Sequence, residues 1–381
     1  MYKLGLISTF LPTQCGIATY SHDLIQSLSI ISSQIHFLQI ELVSYPTCSN
    51  GKNYILSTTD EESFLKAANF INASDIDIID IQHEFKIYGK PDGENILLLL
   101  ENIRKPIVTT LHTVFSEMNE QREKVFRKIV ERSDILYVFS NEAKDHIVNK
   151  YKKNRSCIEI IAHGVPLIKF KKPYQTNVRT NFSKPITFVS AGHMRNTKGY
   201  EVAIVALHLL KKVIPDFKYF ILGSNHPQNE TAQAYRETLL ELINDLKLAN
   251  NIHFIGSYLE QKELIKNIQL ADIGLLPYSR KDQSSSGVLA LMIACGRPVV
   301  STPFQFAKSY VAKESGVLAN SFHTSDFEQA LKILIEKRDD WEKMSLYNSI
   351  LGKKWNWLNI AHKYDDGYRT LTRRKPKSSF V

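Results

Sequence analysis

Short apolar runs alternate with amphipathic stretches along almost the whole chain. In the first half the runs are rich in β-branched residues, as in residues 135–140 ("ILYVFS"), and each predicts a strand buried on both faces. Helical periodicity lies between most of them, for instance from Ile17 onward and over residues 117–132. The predicted strands of this half cover residues 3–8, 35–42, 76–82, 107–112, 135–140 and 158–163.

The alternation is interrupted once. Residues 168–184 are polar and basic and contain Pro173, which predicts a linker. After it the pattern resumes, and 381 residues are long for one domain. We therefore predict two doubly wound α/β domains, residues 1–170 and 185–350, with helices closing the chain. The second half has predicted strands at 186–192, 219–223, 252–257, 273–278, 298–302 and 316–320, and predicted helices from Lys198, over about 229–248 and from Leu259.

Composition is that of an ordinary globular protein, with 43% hydrophobic and 23% charged residues. The four cysteines (Cys15, Cys48, Cys157 and Cys295) show no C-x-x-C spacing, so we expect neither a metal site nor a disulfide framework. No apolar run approaches the roughly 20 residues of a membrane span, and the segment after Met1 is too short for a signal peptide. We expect a cytoplasmic protein.

The net charge of +9 suits an acidic partner, such as nucleic acid, anionic lipid or a phosphorylated small molecule. Basic clusters lie at residues 150–155, 169–173 and 373–377, although each alone is also typical of a solvated surface. We expect no nucleic acid, because no known nucleic-acid motif appears and the clusters lack interleaved aromatic residues. The helix at residues 121–132 is a candidate for peripheral contact with an anionic membrane.

Unusual residues follow the strands of the first half, where parallel sheets bind their ligands. Gly16 opens a helix after "PTQC", so the backbone there can approach an anion, although a tight turn explains this glycine equally well. No G-x-G-x-x-G motif appears, which argues against a nicotinamide dinucleotide. His83, Glu84 and His112 stand at strand ends and are candidate ligand contacts, although a single histidine is commonly structural.

Two loops of the second half have the chemistry of a diphosphate site. In "SAGHMRNTKGYE", Arg195 and Lys198 precede a helix, so two cations are expected beside helix-start amides. In "DQSSSGVLALMIACGRPVVST", three serines lead into a helix too apolar to face water. Their hydroxyls and the helix amides are expected to hold phosphate oxygens, although simple capping accounts for one of them.

Four segments together resemble the retaining glycosyltransferases of the GT-B fold, specifically family 4, and the likeness runs nearly end to end. They correspond to that family's N-terminal glycine loop, its Arg/Lys-Gly phosphate loop, its Gly…Ala-Asp…Pro run and its Ala-Cys-Gly-x-Pro helix. The segments are "FLPTQCGIATYSHDLIQSL", "SAGHMRNTKGYEVAI", "NIHFIGSYLEQKELIKNIQLADIGLLPYS" and "ALMIACGRPVVST".

The resemblance implies two Rossmann-like domains facing across a cleft, with a helix at 355–373 crossing back to the first. Hexose would pass from a nucleoside diphosphate sugar to an acceptor hydroxyl with retention, without a metal or other cofactor. Arg195 and Lys198 would neutralise the diphosphate, and His112 would lie near the donor sugar. The remaining implied donor contacts are Gly16, Ser257, Tyr258, Gln283, Ser284, Ser285, Ser286 and Gly287.

One feature departs from the family pattern. The family carries two glutamates eight positions apart, and here Gln283 and Leu291 occupy those positions. The "DQSSSG" form resembles a subgroup that uses serine and amide groups instead, and Asp282 is the nearby carboxylate. The donor stays open among GDP-mannose, UDP-glucose and UDP-GlcNAc, with a glycan or lipid-linked acceptor. The alternative function is a decayed, non-catalytic protein that binds sugar nucleotides or glycans.

Overall fold

The computed structural model divides into two compact units. The first comprises Met1–Gly164 together with the segment from Trp357 onward, and the second is Val165–Asn356. Each unit is built on one sheet. Cys48, Ser257 and Tyr258 lie outside the described residues, as do most of the predicted linker and of the basic cluster at 373–377. The structure describes residues 1–44, 53–173, 185–224, 231–256 and 259–373.

The first unit has seven strands in the order β3-β2-β1-β4-β5-β6-β7, and every neighbouring pair is parallel. Strands such as β5, with all five residues buried, form because their apolar runs are covered by helices on both faces. Its elements are β1 (Tyr2–Ser8), α1 (Gly16–Ile31), β2 (Ile35–Val43), β3 (Tyr54–Ser57), α2 (Glu61–Ala73), β4 (Ile78–His83), α3 (Ile96–Asn102), β5 (Ile107–Leu111), α4 (Glu120–Arg132), β6 (Ile135–Val138), α5 (Asn141–Tyr151) and β7 (Ile158–Ile160).

The second unit has a six-stranded parallel sheet in the order β10-β9-β8-β11-β12-β13. In both sheets the chain winds outward in one direction and then reverses, which is the doubly wound Rossmann arrangement. Its elements are β8 (Ile186–Ala191), α6 (Tyr200–Leu209), β9 (Phe217–Leu222), α7 (Ala232–Asp245), β10 (Ile252–Ile255), α8 (Gln261–Leu270), β11 (Ile273–Leu276), α9 (Gly287–Ala294), β12 (Val299–Ser301), α10 (Gln305–Tyr310), β13 (Gly316–Leu318), α11 (Thr324–Glu336) and α12 (Trp341–Lys354).

The last helix, α13 (Trp357–Arg373), packs in the first unit. The Tyr364 hydroxyl shares hydrogen bonds with the hydroxyls of Tyr20 (3.0 Å) and Thr110 (2.7 Å). At Gly367 an added Cβ would lie 2.1 Å from the Tyr137 hydroxyl oxygen, so only glycine lets the helix come this close. A helix far along the chain therefore contributes polar groups to the core of the first unit.

The part of the predicted linker that is described, residues 168–173, is attached to the second unit. The Lys169 carbonyl accepts a hydrogen bond from Gln269 (2.8 Å), and the Lys171 carbonyl accepts one from the buried Arg297. The Phe170 ring lies against Gly296, the residue with φ of +72° that follows α9. The remaining residues of the linker, 174–184, lie outside the described part of the chain.

None of the described helices combines the length and the apolarity that crossing a lipid bilayer would need. The candidate membrane helix, α4, buries its apolar side in the first unit through Val125, Phe126, Ile129 and Val130. Several of its cations are paired internally: Arg122 with Asp92, and Arg127 with Glu123. The structure thus reduces the basic surface that this helix was expected to offer.

Candidate active site

Two loops of the second unit meet beside the switch point of its sheet, where β8 and β11 are neighbours. The first follows β8 and the second follows β11. The Ser279 amide donates to the Thr197 carbonyl (3.2 Å), which joins the two loops. Gly199 has a φ of +63°, and a Cβ there would lie 2.0 Å from the Pro277 carbonyl oxygen. The loops are therefore in direct backbone contact at the place where this kind of sheet binds its ligands.

The first loop carries the two predicted cations. Arg195 is exposed, and Lys198 is half-buried at the end of a short 3₁₀ turn, Asn196–Lys198. Neither side chain forms an ion pair with any residue that the structure describes. The Lys198 ammonium lies 3.9 Å from the centroid of the Tyr278 ring and beside Gly192. Both charges are therefore available to an anionic ligand.

The helix after this loop starts two residues later than predicted, and three of the amides near its start are engaged within the protein. The helix begins at Tyr200 rather than Lys198, because Gly199 takes the left-handed conformation. The amides of Lys198 and Gly199 donate to the carbonyls of Arg195 (2.9 Å) and Asn196 (3.1 Å). The Tyr200 amide donates to the Tyr235 hydroxyl (3.1 Å), which itself donates to the Glu201 carboxylate. The amides of Lys198, Gly199 and Tyr200 are therefore engaged within the protein, whereas the side chains of Arg195 and Lys198 remain available to an anion.

The start of α9 has the opposite character. Ser286 caps the helix, and its hydroxyl oxygen accepts from the Leu289 amide (3.2 Å). The amides of Gly287 and Val288 are partly exposed and donate to no acceptor among the described residues. Because the helix behind them is apolar and buried, its dipole favours negative charge at this end. These two amides are placed where the sequence predicts an anion to bind, and that role stays a prediction.

The other residues of the loop before α9, 282–285, mostly form hydrogen bonds within that loop. The fully buried Ser284 donates to the Asp282 carbonyl (3.1 Å), so its hydroxyl is not the phosphate contact that we expected. The Gln283 amide nitrogen donates to the Ser285 carbonyl (2.7 Å). Asp282 and Ser285 are half-buried in the same loop. Leu291 is buried within α9, consistent with its apolar side chain where the family carries a glutamate.

Gly16 starts α1 in the first unit, after an N-cap at Cys15 whose sulfur accepts from the Ala18 amide (3.3 Å). Gly16 is exposed, and a Cβ there would meet no atom within 4 Å. Crowding by the described residues therefore does not explain this glycine. Its predicted role, close approach of a ligand, stays a prediction.

His112 follows β5 and is held by a chain of buried polar groups. Its Nε2 lies 2.9 Å from Gln82 Oε1, and Gln82 Nε2 donates to Asp80 Oδ1 (2.7 Å). An amide oxygen only accepts, so His112 Nε2 carries the hydrogen. Burial, with the neighbouring His163 and His83, holds the pKa of His112 well below its usual range. His112 is therefore a neutral imidazole of defined tautomer.

His83 is not a ligand contact in this structure. It is fully buried, with Phe85 edge-on at 4.8 Å and Tyr88 stacked at 5.7 Å between ring centroids. Neither ring nitrogen has a hydrogen-bond partner among the described residues, and burial lowers the pKa of His83 to about 3. Glu84, by contrast, is half-buried and accepts from the Thr113 hydroxyl (2.5 Å) beside His112.

Acidification is expected to destabilise the first unit through its buried histidines. Burial lowers the pKa of His163 to about 4 and of His83 to about 3, so the unfolded chain binds their protons first. Each histidine contributes stability above pH 6.5 that is lost by about 1.4 kcal/mol per pH unit below it. Burial raises the pKa of Asp80 to about 7, which has the opposite effect because the folded carboxyl keeps its proton. The net loss of unfolding free energy from pH 6.5 to 5 is about 1–3 kcal/mol, measurable by urea denaturation.

Two variants test this balance. His83→Leu removes one histidine contribution, so the pH dependence becomes shallower. Asp80→Asn removes the opposing contribution, so the dependence becomes steeper. Identical slopes in the wild-type protein and both variants would contradict the assignment.

Sequence reasoning missed two features of these sites. One is the Asp80–Gln82–His112 chain; its signal was a pair of polar residues at alternate positions in an otherwise apolar strand. The other is Tyr278, an aromatic residue directly after β11 in a loop otherwise interpreted through its serines. The sequence pattern does not reveal the partner in either case, because His112 and Lys198 lie in other loops of the chain.

Comparison with known proteins finds a family and several relatives that resemble this chain. Residues 171–349 match the family "Glycosyl transferases group 1". D-inositol 3-phosphate glycosyltransferase of Paenarthrobacter aurescens is 26% identical over 69% of this chain and 67% of its own length. Phosphatidyl-myo-inositol mannosyltransferase of Propionibacterium freudenreichii is 24% identical over 78% of this chain and 71% of its own.

Solved structures share the fold across both units. Sucrose-phosphate synthase of Thermosynechococcus elongatus superposes with a TM-score of 0.76 at 18% identity, covering 98% of this chain and all of that one. Anabaena HepE in complex with UDP gives a TM-score of 0.73 at 16% identity, covering 97% and 100%. Residues 171–349 therefore match the group 1 glycosyltransferase family, and the chain has the two-domain GT-B fold.

Proposed function

We propose that this protein transfers a hexose from a nucleoside diphosphate sugar to a hydroxyl of a glycan or lipid-linked acceptor, with retention at the anomeric carbon, as in family 4. The observation that carries the proposal is the chemistry of two adjoining loops. In one, Arg195 and Lys198 form no ion pair with a described residue; in the other, the amides of Gly287 and Val288 donate to no described acceptor. Such a set of donors suits a diphosphate better than any other common ligand.

The chemistry follows from the charge that develops on the leaving group. As the bond between C1 and the phosphate oxygen breaks, negative charge grows on the diphosphate, and preorganised cations and amides stabilise it. The acceptor oxygen forms its bond to C1 on the same face, and its proton passes to the departing phosphate oxygen. No separate base is required, and neutral His112 is assigned to the donor sugar as a hydrogen-bonding group.

The names of the relatives and of the similar solved structures suggest classes of donor and acceptor. HepE was solved with UDP and with UDP-glucose, and a curated relative is named a mannosyltransferase. Two relatives are named for inositol phosphate or phosphatidyl-inositol, which are anionic compounds. A net charge of +9 suits an acceptor of that kind, either free or at the surface of a membrane. The donor candidates are GDP-mannose, UDP-glucose and UDP-GlcNAc.

Nucleotide binding gives the first test. UDP or GDP at 100 times its Kd should raise the free energy of unfolding by about 2.7 kcal/mol, seen as a higher melting temperature. One of the two nucleotides should act and AMP should not, because AMP lacks the diphosphate. The shift and the subsequent transfer should persist in EDTA, since no metal is assigned a role. Absence of any shift with both diphosphates would refute the proposal.

A second candidate is a catalytically decayed protein that binds sugar nucleotides or glycans. Gln283 and the buried Leu291 favour it, because they replace the two carboxylates of the family. Product analysis separates the two functions: decay predicts nucleotide binding without labelled product for every donor and acceptor tried, whereas the enzyme predicts turnover with at least one pair.

A further inference from the structure

Tyr278 is the residue on which Lys198 rests. It follows β11 and is buried, with a relative exposure of 3% for the whole residue. The Lys198 ammonium lies 3.9 Å from the ring centroid, well inside the range of a cation–π contact. Since Lys198 forms no ion pair with a described residue, the electron-rich ring face is the partner that holds its charge.

The ring itself is rigidly supported. It stacks on Phe304 with centroids 4.9 Å apart and an interplanar angle of 21°. Its backbone is tied to the next strand, because the Thr302 hydroxyl donates to the Tyr278 carbonyl (2.6 Å). A lysine side chain has four rotatable bonds and loses much entropy when fixed, so a preformed platform lowers the cost of placing the ammonium.

The hydroxyl group of Tyr278 does not explain why a tyrosine stands at this position. It is buried and has no hydrogen-bond partner among the described residues. A buried hydroxyl without a partner is a cost to the fold, so phenylalanine would satisfy a purely apolar role at least as well. The contact that remains is the one between the ring face and Lys198.

We propose that Tyr278 is a positioning residue, whose ring face holds the Lys198 ammonium where the donor diphosphate binds. This inference rests on the proposed function, because it assigns Lys198 to the diphosphate. It adds an aromatic platform beneath the ammonium to a site that lacks the two glutamates.

Calorimetric titration with UDP and GDP tests the proposal on the full chain. Tyr278→Leu should weaken binding of the active nucleotide about 3- to 30-fold, the range of a desolvated cation–π contact. Tyr278→Phe keeps the ring and should bind as the wild type does. In a Lys198→Ala background, Tyr278→Leu should cause no further loss, because the contact is already gone. A leucine variant that binds normally, or that loses as much affinity without Lys198, would overturn the proposal.

Two controls separate positioning from general damage. Tyr151→Leu removes a similar contact with Arg127 in the first unit and should leave affinity unchanged. Should Tyr278→Leu not fold, pentafluorophenylalanine at position 278 keeps the shape but reverses the ring's charge distribution. It should weaken binding as leucine would, and unchanged affinity would contradict the proposal.

A spectroscopic readout is independent of ligand. The ε-methylene signal of Lys198, identified by its absence in Lys198→Ala, should be shifted upfield by the ring in the wild type and Tyr278→Phe, and not in Tyr278→Leu. If the wild-type protein binds no diphosphate and transfers no sugar, the proposed function fails. The contact between Lys198 and the Tyr278 ring is then tested by this signal alone, and an unshifted wild-type signal refutes it.

Discussion

Replacing Lys198 by alanine is expected to lower kcat for sugar transfer about 100- to 1,000-fold, the usual loss when one preorganised charge-stabilising group is removed. Lys198 is half-buried and free of ion pairs with described residues, so its charge is available to the diphosphate of the proposed donor. KM for the donor should rise less than kcat falls, because the charge on the diphosphate grows in the transition state. Initial rates with the donor that passes the binding test give both constants.

The matched control is Lys343→Ala. The Lys343 side chain is 84% exposed on α12 and pairs with Asp340, so removing it subtracts the same charge from the surface. Its turnover should equal that of the wild type. Near wild-type turnover in Lys198→Ala would refute the charge-stabilising role, and equal losses in the two variants would point to net charge instead.

Replacing Arg297 by methionine is expected to lower the unfolding free energy of the second unit by about 1–3 kcal/mol for each buried carbonyl that loses its donor. Arg297 is fully buried and forms no ion pair with a carboxylate of the described residues. Its guanidinium donates to the carbonyls of Ala271 (2.8 Å), Cys295 (3.1 Å) and Lys171, which methionine would leave without a donor. Denaturant unfolding followed by tryptophan fluorescence measures the change, since the buried Trp341 reports on this unit.

Arg155→Met provides the comparison. That arginine is 60% exposed and pairs with Asp145 on the surface, so its loss should cost at most about 1 kcal/mol. Arg297→Lys should recover only part of the loss, because an ammonium cannot reach three carbonyls in the fork of a guanidinium. An Arg297→Met transition within about 0.5 kcal/mol of the wild type would show that the carbonyls find water or other donors.

The sequence predicted the elements that depend on local pattern. The first strand of each half, β1 or β8, lies within a residue of its predicted bounds. Both are short apolar runs bounded by loop residues, a pattern typical of buried strands. Helix α9 follows from the same reasoning. Strand β3 was missed: its four residues, Tyr54–Ser57, are too short a run to stand out from a loop.

Site residues were harder to predict than elements. Arg195 and Lys198 were predicted because charge in a loop after a strand is visible in sequence, and their role stays a prediction. The same reasoning assigned Ser284 and His83 to ligands, and both proved fully buried within their own units. Strand-end position indicates the edge of the sheet on which a residue lies, but it does not tell whether the side chain turns outward or into the core.

By itself, the sequence determined that this chain forms two doubly wound α/β units and that its unusual loops follow their strands. These properties depend on periodicity, which is local. Only the tertiary structure decided which groups can receive an anion. The Tyr200 amide is occupied by a hydroxyl from a residue 35 positions away, whereas the Gly287 amide is not. Whether an amide is already hydrogen-bonded or still available depends on what the fold brings beside it, because most buried polar groups find a partner and many find it in another segment.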